Sequence, residues 1–121
     1  MPLNVLIVEN ESIIALDIKQ RLSSIEYTVI GAVYSGEEAL DIIKNNVIDL
    51  VFMDVSLDGK LDGVDTAVLI RANFDMPIIY ISASFNLEMH DNIKQTEPYE
   101  YVKKPFDDDQ FQVAITNCFK H

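Results

Sequence analysis

Five short apolar runs, spaced along the sequence with helix-patterned stretches between them, restrict the folds open to this chain. They are Leu3 to Val8, Tyr27 to Val33, Val47 to Met53, Pro77 to Ile81 and Tyr99 to Val102. Largely apolar runs of this length, several rich in β-branched residues, suit strands buried on both faces of a parallel sheet. Between the first two, Ile14, Ile18, Leu22 and Ile25 recur at helical spacing over Glu11 to Ile25. Ser35 followed three residues later by Glu38 is a capping-box signature ahead of Ala39, Leu40 and Ile43. Further helices are expected near Val64 to Asn73 and Asn86 to Thr96. The last helix opens on Asp107, Asp108 and Asp109, the polarity that a helix dipole favours, and carries Phe111, Ala114, Ile115 and Cys118 as its apolar stripe. Five strands alternating with five helices predict a doubly wound (βα)5 fold, a parallel sheet with helices on both faces.

The length of 121 residues suits a single domain over 1–121. The lone cysteine, Cys118, forms no internal bridge, and no Cys/His cluster has zinc spacing. A formal charge of −11 disfavours a phosphate-coating surface, so no direct nucleic-acid binding is expected. No apolar run reaches the roughly 20 residues of a membrane span, and the N-terminus lacks a basic, then apolar, leader. A soluble, cytoplasmic protein without membrane insertion is the expectation.

In open parallel sheets function collects beyond the carboxyl ends of the strands, where strand order reverses. Here those ends carry Glu9, Asn10 and Glu11 after the first strand, Asp54 after the third, Ser82, Ala83 and Ser84 after the fourth, and Lys103, Lys104 and Pro105 after the fifth. Any one of these is ordinary loop polarity; together they suggest a chemistry. Oxygens from the first and third strands suit a hard divalent cation such as Mg²⁺. Asp54 is then placed to attack a phosphoryl group whose charge is shared by the metal, the Lys104 ammonium and the Ser82 hydroxyl.

At VLIVENE (Val5 to Glu11), LVFMDVSL (Leu50 to Leu57), YISAS (Tyr80 to Ser84) and YVKKPF (Tyr101 to Phe106) the sequence resembles the receiver domain of two-component response regulators. The resemblance covers essentially the whole chain. It implies a flavodoxin-like sheet of order 2-1-3-4-5, with Asp54 as phosphoacceptor from a histidine kinase, a phosphotransfer protein or a small-molecule donor. It implies that Lys104 contacts Asp54 and the phosphoryl group, that Ser82 is the switch hydroxyl, and that Tyr101 is the aromatic whose rotamer follows it. The metal ligands implied are Glu9, the residue at position 10, Asp54 and the backbone carbonyl of Ser56. The resemblance further implies that Ser56 and Ser84 border the attacking water and modulate dephosphorylation. A cis Lys104–Pro105 peptide is also implied, with an output domain or target protein as the partner downstream. The resemblance implies no enzyme activity beyond, at most, self-catalysed phosphoryl transfer and dephosphorylation at Asp54.

One departure touches the chemistry. The family usually has two adjacent acids after the first strand, and this chain has Glu9 followed by Asn10. An Asn keeps an oxygen but removes a charge, so cation attraction weakens. The alternative function is therefore a receiver-shaped protein-interaction module that is not phosphorylated. A phosphatase of the haloacid-dehalogenase type is disfavoured because Ser56 stands where that chemistry needs a second acid. A flavin site is disfavoured by Glu9 and Glu11, which would repel a phosphate.

Asp54 to Asp65 also has oxygen-bearing side chains at calcium-loop spacing, with Gly59 at the sixth place. A strand rather than a helix enters it, so an acidic connection to the third helix is the preferred reading. His90 reads as a solvated helix residue, Met53, Met76 and Met89 as packing, Cys118 as core, and Phe106 with Lys103 as part of a docking face.

Overall fold

The computed structural model describes residues 2–57, 59–83 and 92–119. Five strands, β1 (Leu3–Val8), β2 (Tyr27–Val33), β3 (Leu50–Asp54), β4 (Ile78–Ser82) and β5 (Tyr99–Lys103), form one sheet in the order β2-β1-β3-β4-β5. All neighbouring pairs are parallel. Among the described residues four α-helices accompany it: α1 (Ser12–Arg21), α2 (Gly36–Asn45), α3 (Gly63–Arg71) and α4 (Asp108–Cys118). The helix expected over Asn86 to Thr96 lies mostly outside the described residues; its last four form a 3-10 turn, Ile93–Thr96.

Alternation along the strands divides the core in two. Leu6, Val8, Val51, Met53, Ile78 and Tyr80 face α2 and α3, whereas Val5, Ile7, Leu50, Phe52, Ile79 and Ile81 face α1 and α4. On the second side Phe52 stacks on Phe111 with ring centroids 5.1 Å apart. Phe106 stacks on Phe111 in turn and lies beneath the Arg21 guanidinium, so its ring is a packing element rather than an exposed docking aromatic. Cys118 is half-buried at the edge of this cluster, and burial pushes its thiol up to about 12. Buried Tyr80, two residues before Ser82, donates to Thr96 Oγ1 at 2.8 Å and so ties the 3-10 turn to β4.

The local boundaries follow side-chain chemistry. β3 begins at Leu50, not at Val47, because Asp49 accepts from the Asn4 backbone N–H and Val47 gives its carbonyl to the Asn4 amide; Val47 itself is exposed. The first helix stops at Arg21, short of Ile25, where Ser23 turns its hydroxyl onto the Gln20 carbonyl. Ile25 is consequently 94% exposed and plays no part in the core. At α2 the Ser35 hydroxyl accepts from the Glu38 N–H as anticipated. A complete capping box occurs instead at α4, where Asp107 and Gln110 satisfy each other's backbone N–H groups.

Candidate functional site

The carboxyl ends of β1, β3, β4 and β5 are neighbours in the sheet, and each delivers one polar side chain. Val8 pairs with Met53, Asp54 with Ile81 and Ser82 with Lys103, which sets Glu9, Asp54, Ser82 and Lys104 along one edge. Glu9 is fully buried, Asp54 is 2% exposed and Ser82 is 6% exposed. Charged groups are rarely held so deep without partners.

Their partner is one ammonium. Lys104 Nζ lies 3.1 Å from Glu11 Oε1, 3.3 Å from both Glu9 carboxylate oxygens and 3.5 Å from Asp54 Oδ2. Backbone donors add to this: the Glu11 N–H gives a hydrogen bond to Glu9 Oε1 at 3.1 Å, and the Ser56 N–H gives one to Asp54 Oδ1 at 3.0 Å. The other two oxygens, Glu9 Oε2 and Asp54 Oδ2, are buried and accept no hydrogen bond among the described residues. Three carboxylates around one cation leave an excess of negative charge in a desolvated place. Burial first, and then the neighbouring Asp54 carboxylate, raise the Glu9 carboxyl from 4.5 to about 7, against the opposing pull of the Glu11 N–H and Lys104. Burial lowers Lys104, but its hydrogen bond to Glu11 and the charges of Asp54 and Glu9 outweigh that and raise it overall.

The donor set fits a hard divalent cation. One oxygen from each of Glu9, Glu11 and Asp54 falls within 4.8 Å of the others, and two of the three residues present an oxygen with no hydrogen bond.

The backbone behind Asp54 is as closely specified as its side chain. The Val55 N–H bonds the Ile81 carbonyl, and the Gly63 N–H returns to the Val55 carbonyl at 2.9 Å, closing the loop between β3 and α3. A Cβ at Gly63 would meet the Asp54 carbonyl oxygen at 2.0 Å. Asp62 caps α3 by accepting from the Asp65 N–H. Two of the oxygens that resembled calcium ligands thus belong to a helix start. Asp58, the fifth of that spacing, lies outside the described residues.

Residues 5–116 match the family model of the response regulator receiver domain. The chain belongs to this family. A transcriptional regulatory protein of Mycobacterium tuberculosis, PdtaR, is 30% identical over 106 residues, 88% of this chain and 51% of the relative. The chain spans about half the length of the curated relatives it matches. The signal receiver domain of a modulated diguanylate cyclase from Desulfovibrio desulfuricans superposes with a TM-score of 0.86 at 33% identity, covering 98% of this chain and 94% of that one. The receiver domain of a Pseudomonas aeruginosa sensor histidine kinase, solved with a magnesium ion in its active-site cleft, gives a TM-score of 0.82 at 26% identity, covering 98% of each chain.

Within this receiver fold, Glu9, Asp54, Ser82 and Lys104 stand at one edge, and the Lys104–Pro105 peptide is cis. Asn10 is half-buried beside them and Ser56 is exposed at the loop start. Tyr101 is 43% exposed on β5, directed away from the core. Ser84 and His90 lie outside the described residues, as does Met89. Glu11 was missing from the expected ligands, although its carboxylate is the nearest to Lys104. The available signal was a Glu at a helix start, where a shorter Asp, Ser or Thr would cap.

The shift at Glu9 has a measurable consequence. Because the folded state holds this proton more tightly than the unfolded chain, the contribution is present below pH 4.5 and is lost as pH rises through about 7. In magnesium-free buffer the stability of the natural chain, taken relative to Glu9→Gln, should therefore fall across that window in urea unfolding. Parallel profiles would contradict the assignment.

Proposed function

We propose that this receiver accepts a phosphoryl group on Asp54, with a divalent cation, and signals by changing the face built by β5 and α4. The observation that carries this reading is the burial of Asp54 with an oxygen that accepts no hydrogen bond among the described residues, beside Lys104 and a cluster of carboxylates. Asp54 Oδ2 supplies the electron pair that attacks phosphorus, forming an acyl phosphate as the donor's phosphorus–nitrogen or phosphorus–oxygen bond breaks. Asp54 Oδ1, held by the Ser56 N–H, keeps the carboxylate oriented. Magnesium would neutralise phosphoryl and carboxylate charge when bound by Glu9, Asp54 and the Ser56 carbonyl, with Asn10 offering a neutral oxygen.

Lys104 stabilises charge on the transferring group, as its position among the three carboxylates allows. Ser82 Oγ follows the phosphoryl oxygens, and the half-exposed Tyr101 ring turns inward behind it, so the modified state is favoured by its extra contacts. Ser56 and Ser84 set how easily water reaches the acyl phosphate. The donor is a histidine kinase or phosphotransfer protein, and the recipient of the signal is an output domain or target protein. The chain acts as a switch rather than as an enzyme on outside substrates. Action in the cytoplasm belongs to this reading; no helix among the described residues is long and apolar enough to cross a membrane.

The test is a beryllofluoride titration with magnesium, followed by NMR. Shifts are expected at Asp54, Ser82, Tyr101 and Lys104. Silence in the natural chain, with shifts appearing in Asn10→Asp, would instead identify an interaction module that is not phosphorylated.

A further inference from the structure

The family pattern places two acids after β1, and this chain has lost the charge of the second at Asn10. A compensating charge is nevertheless present. Glu11 is the N-cap of α1, yet its side chain makes no capping hydrogen bond. Residues preferred at that position have short side chains that reach back to the free N–H groups of the first turn. Glu11 instead extends its carboxylate over the strand ends to within 3.1 Å of Lys104 Nζ, in reach of Glu9 and Asp54. The helix start forgoes a side-chain cap, and the site gains a third carboxylate.

A second observation indicates what that carboxylate serves. Glu9 and Asp54 are almost wholly buried, and each aims into the same space an oxygen that accepts no hydrogen bond among the described residues. Lys104, whose ammonium is paired with all three carboxylates, balances only one of their negative charges. A divalent ion bound through these oxygens would come closer to balancing the set, and cation affinity in oxygen sites rises with the number of charged ligands. We propose that Glu11 supplies the divalent-cation site with the carboxylate that Asn10 lacks, either as a direct ligand or through a bound water. The inference rests on the reading of this site as a cation-assisted phosphoacceptor.

Calorimetric titration of magnesium chloride into the natural chain and its variants at pH 8 tests it without any phosphoryl transfer. Glu11→Gln should weaken magnesium binding by about tenfold or more, and Asn10→Asp should tighten it by a similar factor. The same Glu11→Gln loss should persist in a Lys104→Gln background. If it vanishes there, Glu11 acts only by holding Lys104 and the inference falls. It also falls if the natural chain binds magnesium and Asp54→Asn weakens that binding while Glu11→Gln changes it by less than about twofold, an outcome that leaves the phosphoacceptor reading intact. If magnesium binds to Asn10→Asp alone, Glu11 has not replaced the missing acid. If neither the natural chain nor Asn10→Asp binds it, the cation-assisted reading itself fails.

Discussion

Gly63→Ala should cost about 3 kcal/mol of stability, far more than a glycine-to-alanine change at a tolerant helix position, where reduced freedom of the unfolded chain is normally a gain. The backbone at Gly63 has no unusual dihedral; only positive-φ Gly59 does among the described glycines. The cause is space. A Cβ would stand 2.0 Å from the Asp54 carbonyl oxygen and 2.8 Å from both the Asp54 carbonyl carbon and Val55 Cα, and these are backbone atoms that no rotamer change can withdraw. Relief requires β3 and α3 to separate, which would break the Gly63 to Val55 hydrogen bond and shift Asp54 itself. Urea unfolding should thus show a large drop in midpoint, and any folded fraction should respond poorly to beryllofluoride. A loss below about 0.5 kcal/mol, typical of a surface substitution, would show that the close approach is not a constraint.

Lys104→Met is the second large effect, and its size depends on pH. Removing one member of a buried charge cluster strands the others, at a cost of about 3 kcal/mol or more when they remain ionised. Near pH 8 the variant must either hold Glu9 and Asp54 ionised without the ammonium or protonate Glu9, whose carboxyl rises further once Lys104 no longer lowers it, so the magnesium-free variant should be strongly destabilised. Near pH 5 Glu9 holds a proton and the penalty should shrink. Millimolar magnesium at pH 8 should restore part of the loss, since an ion that binds only the folded state stabilises it by mass action. Urea unfolding at the two pH values, with and without the cation, measures all three effects. A variant as stable as the natural chain at pH 8 would show that Lys104 does not hold the carboxylates together.

Much of this architecture was legible in the sequence because the doubly wound fold has a direct signature. A strand buried on both sides must be apolar throughout, and the polar residue that ends such a run marks the sheet edge where ligands bind. Glu9, Asp54 and Ser82 each stand directly after such a run, whereas Lys104 follows β5, an edge strand of mixed polarity. The boundaries were less legible where a side chain competes with the backbone. Asp49 and Ser23 end regular structure through hydrogen bonds to residues that sequence distance or local ambiguity conceals. Glu11 was hidden for a different reason. Its role depends on which way an N-cap side chain turns, and that is decided by Lys104, 93 residues away. The constraint at Gly63 is equally invisible in one dimension, since it follows from how closely α3 approaches the end of β3.

On the proposed function, Asp54 is the phosphoacceptor. Incubation with acetyl phosphate in the presence and absence of magnesium, followed by intact-protein mass spectrometry, tests it directly. One phosphoryl group should be added to the natural chain in a magnesium-dependent manner, and none to Asp54→Asn. Equal labelling of Asp54→Asn, or no labelling of the natural chain at saturating magnesium and donor, would contradict the account.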